Sequence, residues 1–168
     1  MKSVYGLLLF LSGVFVAGSK SPEQIISYIK ITDTVQVLVP TTAEVYLLAR
    51  LIESEASRSQ TGVERISGRI AAGNVVMNRL RSDLKSGKTV SLKKIIYKKN
   101  QFCGIKVKRF RDKPSKESLI AATIALLDLN LLPDNILFFN SPNAPNIWNK
   151  TELVEWARIA KHSFKYKS

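Results

Sequence analysis

The sequence predicts an α+β domain, mainly α, with a small β element. Three observations carry this. From Thr41 onward, apolar residues recur at helical spacing in four long stretches and one short one. Only TVQVLVP, ILFFN and the closing KHSFKYKS read as strands. The 168 residues are 45% apolar with 8 Gly and 6 Pro, a composition that fills one modest core and argues against disorder.

Taken in order, TVQVLVP alternates apolar and polar residues and is closed by Pro40, as a strand would be. A first helix is expected from Ala43 to about Ser57, with Thr42 as its cap and Glu44 favouring the positive end of the helix dipole. A second opens at Thr61, where T-G-V-E fits a capping box, and runs to about Arg81. Its IAAGNVVMN stretch is small and apolar on nearly every side, so this helix should be central. Asn74 and Asn78, four apart on it, must then be hydrogen-bonded. A short helix over Leu92 to Tyr97 and another from Ser115 to about Leu129 follow, the latter with Leu119, Ala122, Leu126 and Leu129 on one face. ILFFN ends in a Ser-Pro-Asn turn. A last helix is expected from Asn149, with Leu153, Trp156, Ala157 and Ala160 inward, and KHSFKYKS reads as a short closing strand.

The N-terminus has the layout of a secretory signal over residues 1–18. Lys2 is followed by VYGLLLFLSGVFVAG and small residues near Ala17, Gly18 and Ser19. An uncleaved anchor is the alternative. Residues 19–40 form a lead-in and 41–168 the domain. With 26 Lys and Arg against 13 Asp and Glu, the chain carries +13 and favours a polyanionic partner. Export makes nucleic acid a poor choice and points to anionic cell-envelope polymers; the lysine-rich loops 85–91 and 106–114 are either plain solvated surface or the grip on such a polymer. Cys103 is the only cysteine and His162 the only histidine, so neither an intrachain disulfide nor the usual zinc site is available, and Cys103 is expected as a small buried residue.

The stretch LIESEA, residues 51–56, holds two glutamates inside an apolar run. At roughly 100° per residue, Glu55 shares the stripe of Leu48, Leu51 and Ile52, whereas Glu53 points away with Tyr46 and Arg50 and is expected as an exposed partner of Arg50. A carboxyl on the core-facing stripe is desolvated and holds its proton longer, as general-acid cleavage of a glycosidic bond requires. A hydrogen-bonded structural Glu fits the same pattern. No second carboxylate is an obvious partner, Glu64 after the loop from the first helix being the one candidate to approach the cleft, and a lone acid favours a mechanism in which the sugar's own hydroxyl completes the reaction.

LARLIESEA, GRIAAGNVVMNRL, IIYKKNQF, AATIALLDLNLLPDNILFFNSP, Trp148 and IAKHSFKY, in this order across residues 47–166, resemble the cell wall hydrolases of the spore cortex-lytic type. The resemblance implies a lysozyme-like, mainly helical fold that cleaves peptidoglycan between N-acetylmuramic acid and N-acetylglucosamine, by lytic transglycosylation or hydrolysis. No metal or organic cofactor is implied, and a monomer is expected. It puts Glu55 at the catalytic glutamate and makes Gln101, Phe102, Asn140, Trp148 and His162 the candidate substrate-binding positions. Each has a plainer alternative: loop polarity for Gln101, packing for Phe102 and Trp148, an Asx turn for Asn140, a cap for His162. A longer loop, SRSQTGVERIS, follows Glu55, and Ser141 separates Asn140 from Pro142. A non-catalytic wall-binding protein, with Glu55 structural, remains the competing class.

Overall fold

A computed structural model describes residues 27–31, 35–55, 62–140 and 153–167. Strands β1 (Ser27–Ile31) and β2 (Val35–Val39) pair antiparallel. Helices α1 (Thr42–Glu55), α2 (Gly62–Lys85), α3 (Leu92–Ile96) and α4 (Lys116–Leu126) follow, with two short 3₁₀ turns, Gly104–Lys106 and Lys108–Arg111, between α3 and α4. Strands β3 (Phe138–Asn140), β4 (Leu153–Ile159) and β5 (His162–Lys167) form an antiparallel sheet in the order β3-β5-β4.

The centre is α2. Every residue from Gly68 to Asn78 is buried, so the helix is enclosed as its small apolar sequence dictates. At Gly73 it passes so near α4 that a Cβ would stand 2.9 Å from the Ala125 Cβ, and α4 answers with Ala121, Ala122 and Ala125, all fully buried. Asn74 Oδ1 accepts the Leu131 N–H, and Asn78 Nδ2 donates to the carbonyls of Pro133 and Ile136. These bonds tie α2 to the chain leading into β3, which fixes the far wall of the site. Phe164 of β5 joins Ala71, Val75, Leu132 and Ile136 in a second core cluster.

Local sequence explains the ends. Thr41, not Thr42, caps α1: its Oγ1 accepts the Glu44 N–H, while the Glu44 carboxylate accepts the Thr41 N–H, a reciprocal capping box. Ser115 caps α4 by accepting the Ser118 N–H. That helix stops at Leu126 because Asp128 turns left-handed (φ 61), and the Leu129 N–H returns to the Ile124 carbonyl. Leu129 is therefore exposed, against expectation.

The expected last helix is a strand where it is described. Over Leu153–Ile159 the helical spacing of Leu153, Trp156, Ala157 and Ala160 misleads, since Val, Trp and Ile serve a strand better and a bulge between Glu155 and Ala157 breaks the alternation. Trp156 is 42% exposed rather than inward. The closing strand over residues 162–167 is as expected. Thr61, the Ser-Pro-Asn turn, Trp148 and Asn149 lie outside the described residues, as do the signal and most of the lead-in. Among the described residues no helix is long and apolar enough to cross a membrane.

Candidate active site

The C-terminal turn of α1 carries both glutamates of LIESEA, and their surroundings differ. Glu53 is not at the surface: it is 5% exposed. Its Oε2 accepts from Arg69 Nη1 at 2.7 Å, Ser115 Oγ at 2.5 Å, Ser118 Oγ at 2.8 Å and the Ser115 N–H at 3.3 Å. Arg69 Nη1 also donates to both serine hydroxyls. Burial alone would raise the Glu53 pKa, but the hydrogen bonds from Arg69, Ser115 and Ser118 outweigh it and hold the carboxyl down at about 2. The expected pair with Arg50 is thus replaced by a buried ion pair. Helix α1 is covered on the Ala49–Glu53 side by the start of α4, a face that a one-stripe helix would leave in water.

Glu55 sits one helical turn past Leu51 and Ile52, on the stripe where the periodicity places it. The backbone N–H of Gly104 donates to its Oε1 at 2.6 Å. Burial raises its pKa above the ordinary 4.5; the Gly104 N–H and the positive charge of Arg79 pull the other way and only partly offset it. No other carboxylate among the described residues is one of the groups that shift it. A carboxyl so placed keeps its proton to higher pH than an exposed glutamate does.

Arg79, to which the sequence assigned no role, acts on Glu55 through its charge. It projects from α2, donates from Nε to the Leu137 carbonyl at 2.6 Å, and its guanidinium lies over the rings of Phe102 (4.7 Å) and Phe138 (5.5 Å). Burial draws its pKa from 12.5 down to about 10, with the charge of Glu55 drawing it back up. It remains charged at neutral pH. Its Nη1 is buried without a hydrogen-bond partner. The only sequence signal was an arginine following an enclosed helical run.

Gln101 lines a shallow pocket beside Arg79, together with Asp83, Lys98, Leu137 and Phe138. Asp83 there is held below the ordinary carboxylate range by the hydrogen bond from Lys88, with Lys98 adding to it. Phe102 is buried under Arg79 and presents no face to a sugar. Asn140 ends β3, paired in register with Ser163, and its Oδ1 is buried without a partner. His162 is 3% exposed, packed edge-on against Phe139 at 5.6 Å. Burial lowers its pKa, while a bond to the backbone carbonyl of Glu55 raises it. Position alone thus suits Phe102 and His162 to supporting the site rather than touching substrate. Cys103, expected buried, is exposed, because the 3₁₀ turn points Gly104 inward instead. Among the described residues no cluster of His, Cys, Asp and Glu could hold a metal ion.

Two solved structures share this architecture. The catalytic domain of the Bacillus cereus SleB protein is 18% identical, with 74% of this chain and 91% of that chain covered and a TM-score of 0.58. The catalytic domain of the germination-specific lytic transglycosylase SleB from Bacillus anthracis is 19% identical, with 76% and 99% covered and a TM-score of 0.59. No curated protein matches the chain. Residues 63–165 match the Cell Wall Hydrolase family, a stretch that holds Arg79, Gln101, Gly104, Asn140 and His162 and begins after α1. With most of the chain inside that match, the protein belongs to the Cell Wall Hydrolase family.

Proposed function

We propose that the protein is an exported peptidoglycan glycosidase that cleaves between N-acetylmuramic acid and N-acetylglucosamine as a lytic transglycosylase, with Glu55 as its acid and base. The observation that carries the reading is the Glu55 carboxyl, desolvated at the end of α1 and fixed by one backbone N–H. Family membership supplies the wall as substrate. The Bacillus anthracis relative, described as a lytic transglycosylase, supports the choice of reaction.

In the first step Glu55 gives its proton to the glycosidic oxygen as the bond from C1 of muramic acid breaks and positive charge develops at C1. The new carboxylate is stabilised by Arg79 and the Gly104 N–H. It then takes the proton of the muramic acid C6 hydroxyl, whose oxygen closes on C1 to give a 1,6-anhydro end. Glu55 finishes protonated, as it began. Gln101, beside Arg79, Asn140 and Trp148 are the residues we assign to holding the sugars.

Residues 88–116, which frame Gln101 and Gly104, hold eleven Lys and Arg against one acid, Asp112. Among the described residues only Lys88 and Lys98 of this segment reach a carboxylate, that of Asp83. This band is the surface we assign to anionic envelope polymers. Residues 1–18 would direct export.

Wild type and Glu55→Gln, incubated with purified peptidoglycan, test the proposal by mass spectrometry of the released sugars. The wild type should yield anhydro-muramoyl ends, and the variant should be slower by about a thousandfold or more. Reducing ends would mean that water takes the place of the C6 hydroxyl, making the protein a muramidase. Equal release by both proteins, or none by either, would leave a wall-binding protein instead.

A further inference from the structure

We infer that the backbone N–H of Gly104 is a positioning group for Glu55, which occupies Oε1 and so confines the transferable proton to Oε2. This rests on Glu55 being the acid. A carboxylic acid has one hydroxyl, and an oxygen that accepts an N–H at 2.6 Å is the acceptor of the pair, not the donor. The O–H is therefore on Oε2, the oxygen left for the glycosidic bond. After transfer the carboxylate keeps the same N–H, so the group need not rotate before it accepts the second proton.

The identity of residue 104 follows from this contact. Its φ is not in the left-handed region, so no turn demands glycine there. Space does. A Cβ would fall 2.8 Å from Glu55 Oε1 and 3.0 Å from its Cδ, and would collide with Ser54 Oγ. Ser54 cannot swing aside freely, because its hydroxyl donates to the Leu51 carbonyl at 2.8 Å. The turn that presents the N–H is itself anchored. Phe102 and Phe110 are buried on either side of it, and bonds from Lys106 to the Cys103 carbonyl and from Val107 to the Gly104 carbonyl close it. The N–H also favours the charged carboxylate while burial favours the neutral acid, which keeps both states of Glu55 within reach.

Gly104→Ala, assayed on peptidoglycan, should lose about 100-fold in kcat with KM within about twofold of wild type, since sugar contacts are untouched while the proton is misplaced. The double variant Ser54→Ala with Gly104→Ala removes the collision with the hydroxyl and leaves only the one with the carboxyl. It should stay as slow as Gly104→Ala. Recovery of wild-type kcat in the double variant, or wild-type kcat in Gly104→Ala, overturns the inference. Where the alanine variants fold poorly, a semisynthetic protein with the Gly104 N–H replaced by an ester oxygen adds no side chain. In it the alkaline limb of the pH profile should move to higher pH, because the bond that lowers the Glu55 proton affinity is gone; an unmoved limb overturns the inference too. Failure of the Glu55 reading is separate: it shows as activity retained by Glu55→Gln, whatever Gly104 does.

Discussion

Glu53→Gln removes one negative charge from the core and leaves Arg69, itself 2% exposed, without its counter-ion. The magnitude follows from the proton affinity. The Glu53 carboxyl is carried from 4.5 to about 2, and each tenfold in affinity is worth about 1.4 kcal/mol, so the network contributes about 3 kcal/mol at neutral pH. Breaking a buried pair by removing one partner costs about 3 to 5 kcal/mol, which agrees. Against a total stability of about 5 to 15 kcal/mol this is severe but survivable. The sign with pH is fixed. A depressed folded-state pKa gives stability that is fully present above about 4.5 and lost as pH falls toward about 2. Urea unfolding at pH 7 should place the variant about 3 kcal/mol below wild type, and the two should converge as the pH drops to about 2. A pH 7 difference under about 1 kcal/mol, or one that persists unchanged into acid, would refute the network's role.

Three further outcomes are expected. Because the Glu55 pKa is raised, activity should fall with rising pH only above the ordinary carboxylate range, and a limb centred near 4.5 in the pH profile of kcat/KM would contradict the site as described. Arg79→Met removes the positive charge that favours deprotonation, so that limb should move to still higher pH; a shift downward would contradict the coupling. Ala160 starts the turn between β4 and β5 at φ 56, a conformation that suits glycine, and Ala160→Gly should raise stability by about 0.5 to 1 kcal/mol in thermal unfolding.

What could be read from the sequence was what depends on one helix at a time. The enclosed character of IAAGNVVMN, the helix beginning near Ser115 and the inward placement of Glu55 all follow from spacing, and the structure has them. What could not be read depends on a second element arriving. A wheel with a single stripe treats α1 as half wet, yet Leu51, Leu48, Ile52, Ala49 and Glu53 span about 200° of its circumference and all are buried. The approach of α4 and of Arg69 from α2 closes that arc, and nothing local to LIESEA announces it. Residues 153–160 fail for a related reason. Their spacing satisfies a helix, but β5 offers a paired edge with Phe164 at its centre, and tertiary pairing overrides local preference. Arg79 escaped notice because its partners, Phe102, Phe138 and the Leu137 carbonyl, lie 23 to 59 positions away.

The two glutamates make the same point through chemistry. Both stand on the last turn of one helix, and burial acts on both in the same direction, against the charged form. What separates them is the donors each oxygen meets. Glu53 Oε2 receives a guanidinium, two hydroxyls and an N–H, so protonating it would undo four bonds, and it stays charged at every pH the enzyme would meet. Glu55 receives one N–H, and Arg79 acts on it without an ion-pair contact, which leaves a proton removable at modest cost. An acid that must give and then take a proton cannot carry the network that makes a carboxylate permanent. A fixed anchor must carry it. One helix can hold both because residues two apart face roughly 160° from each other, and each side chain meets different neighbours: the start of α4 and Arg69 of α2 for Glu53, the Gly104 turn for Glu55.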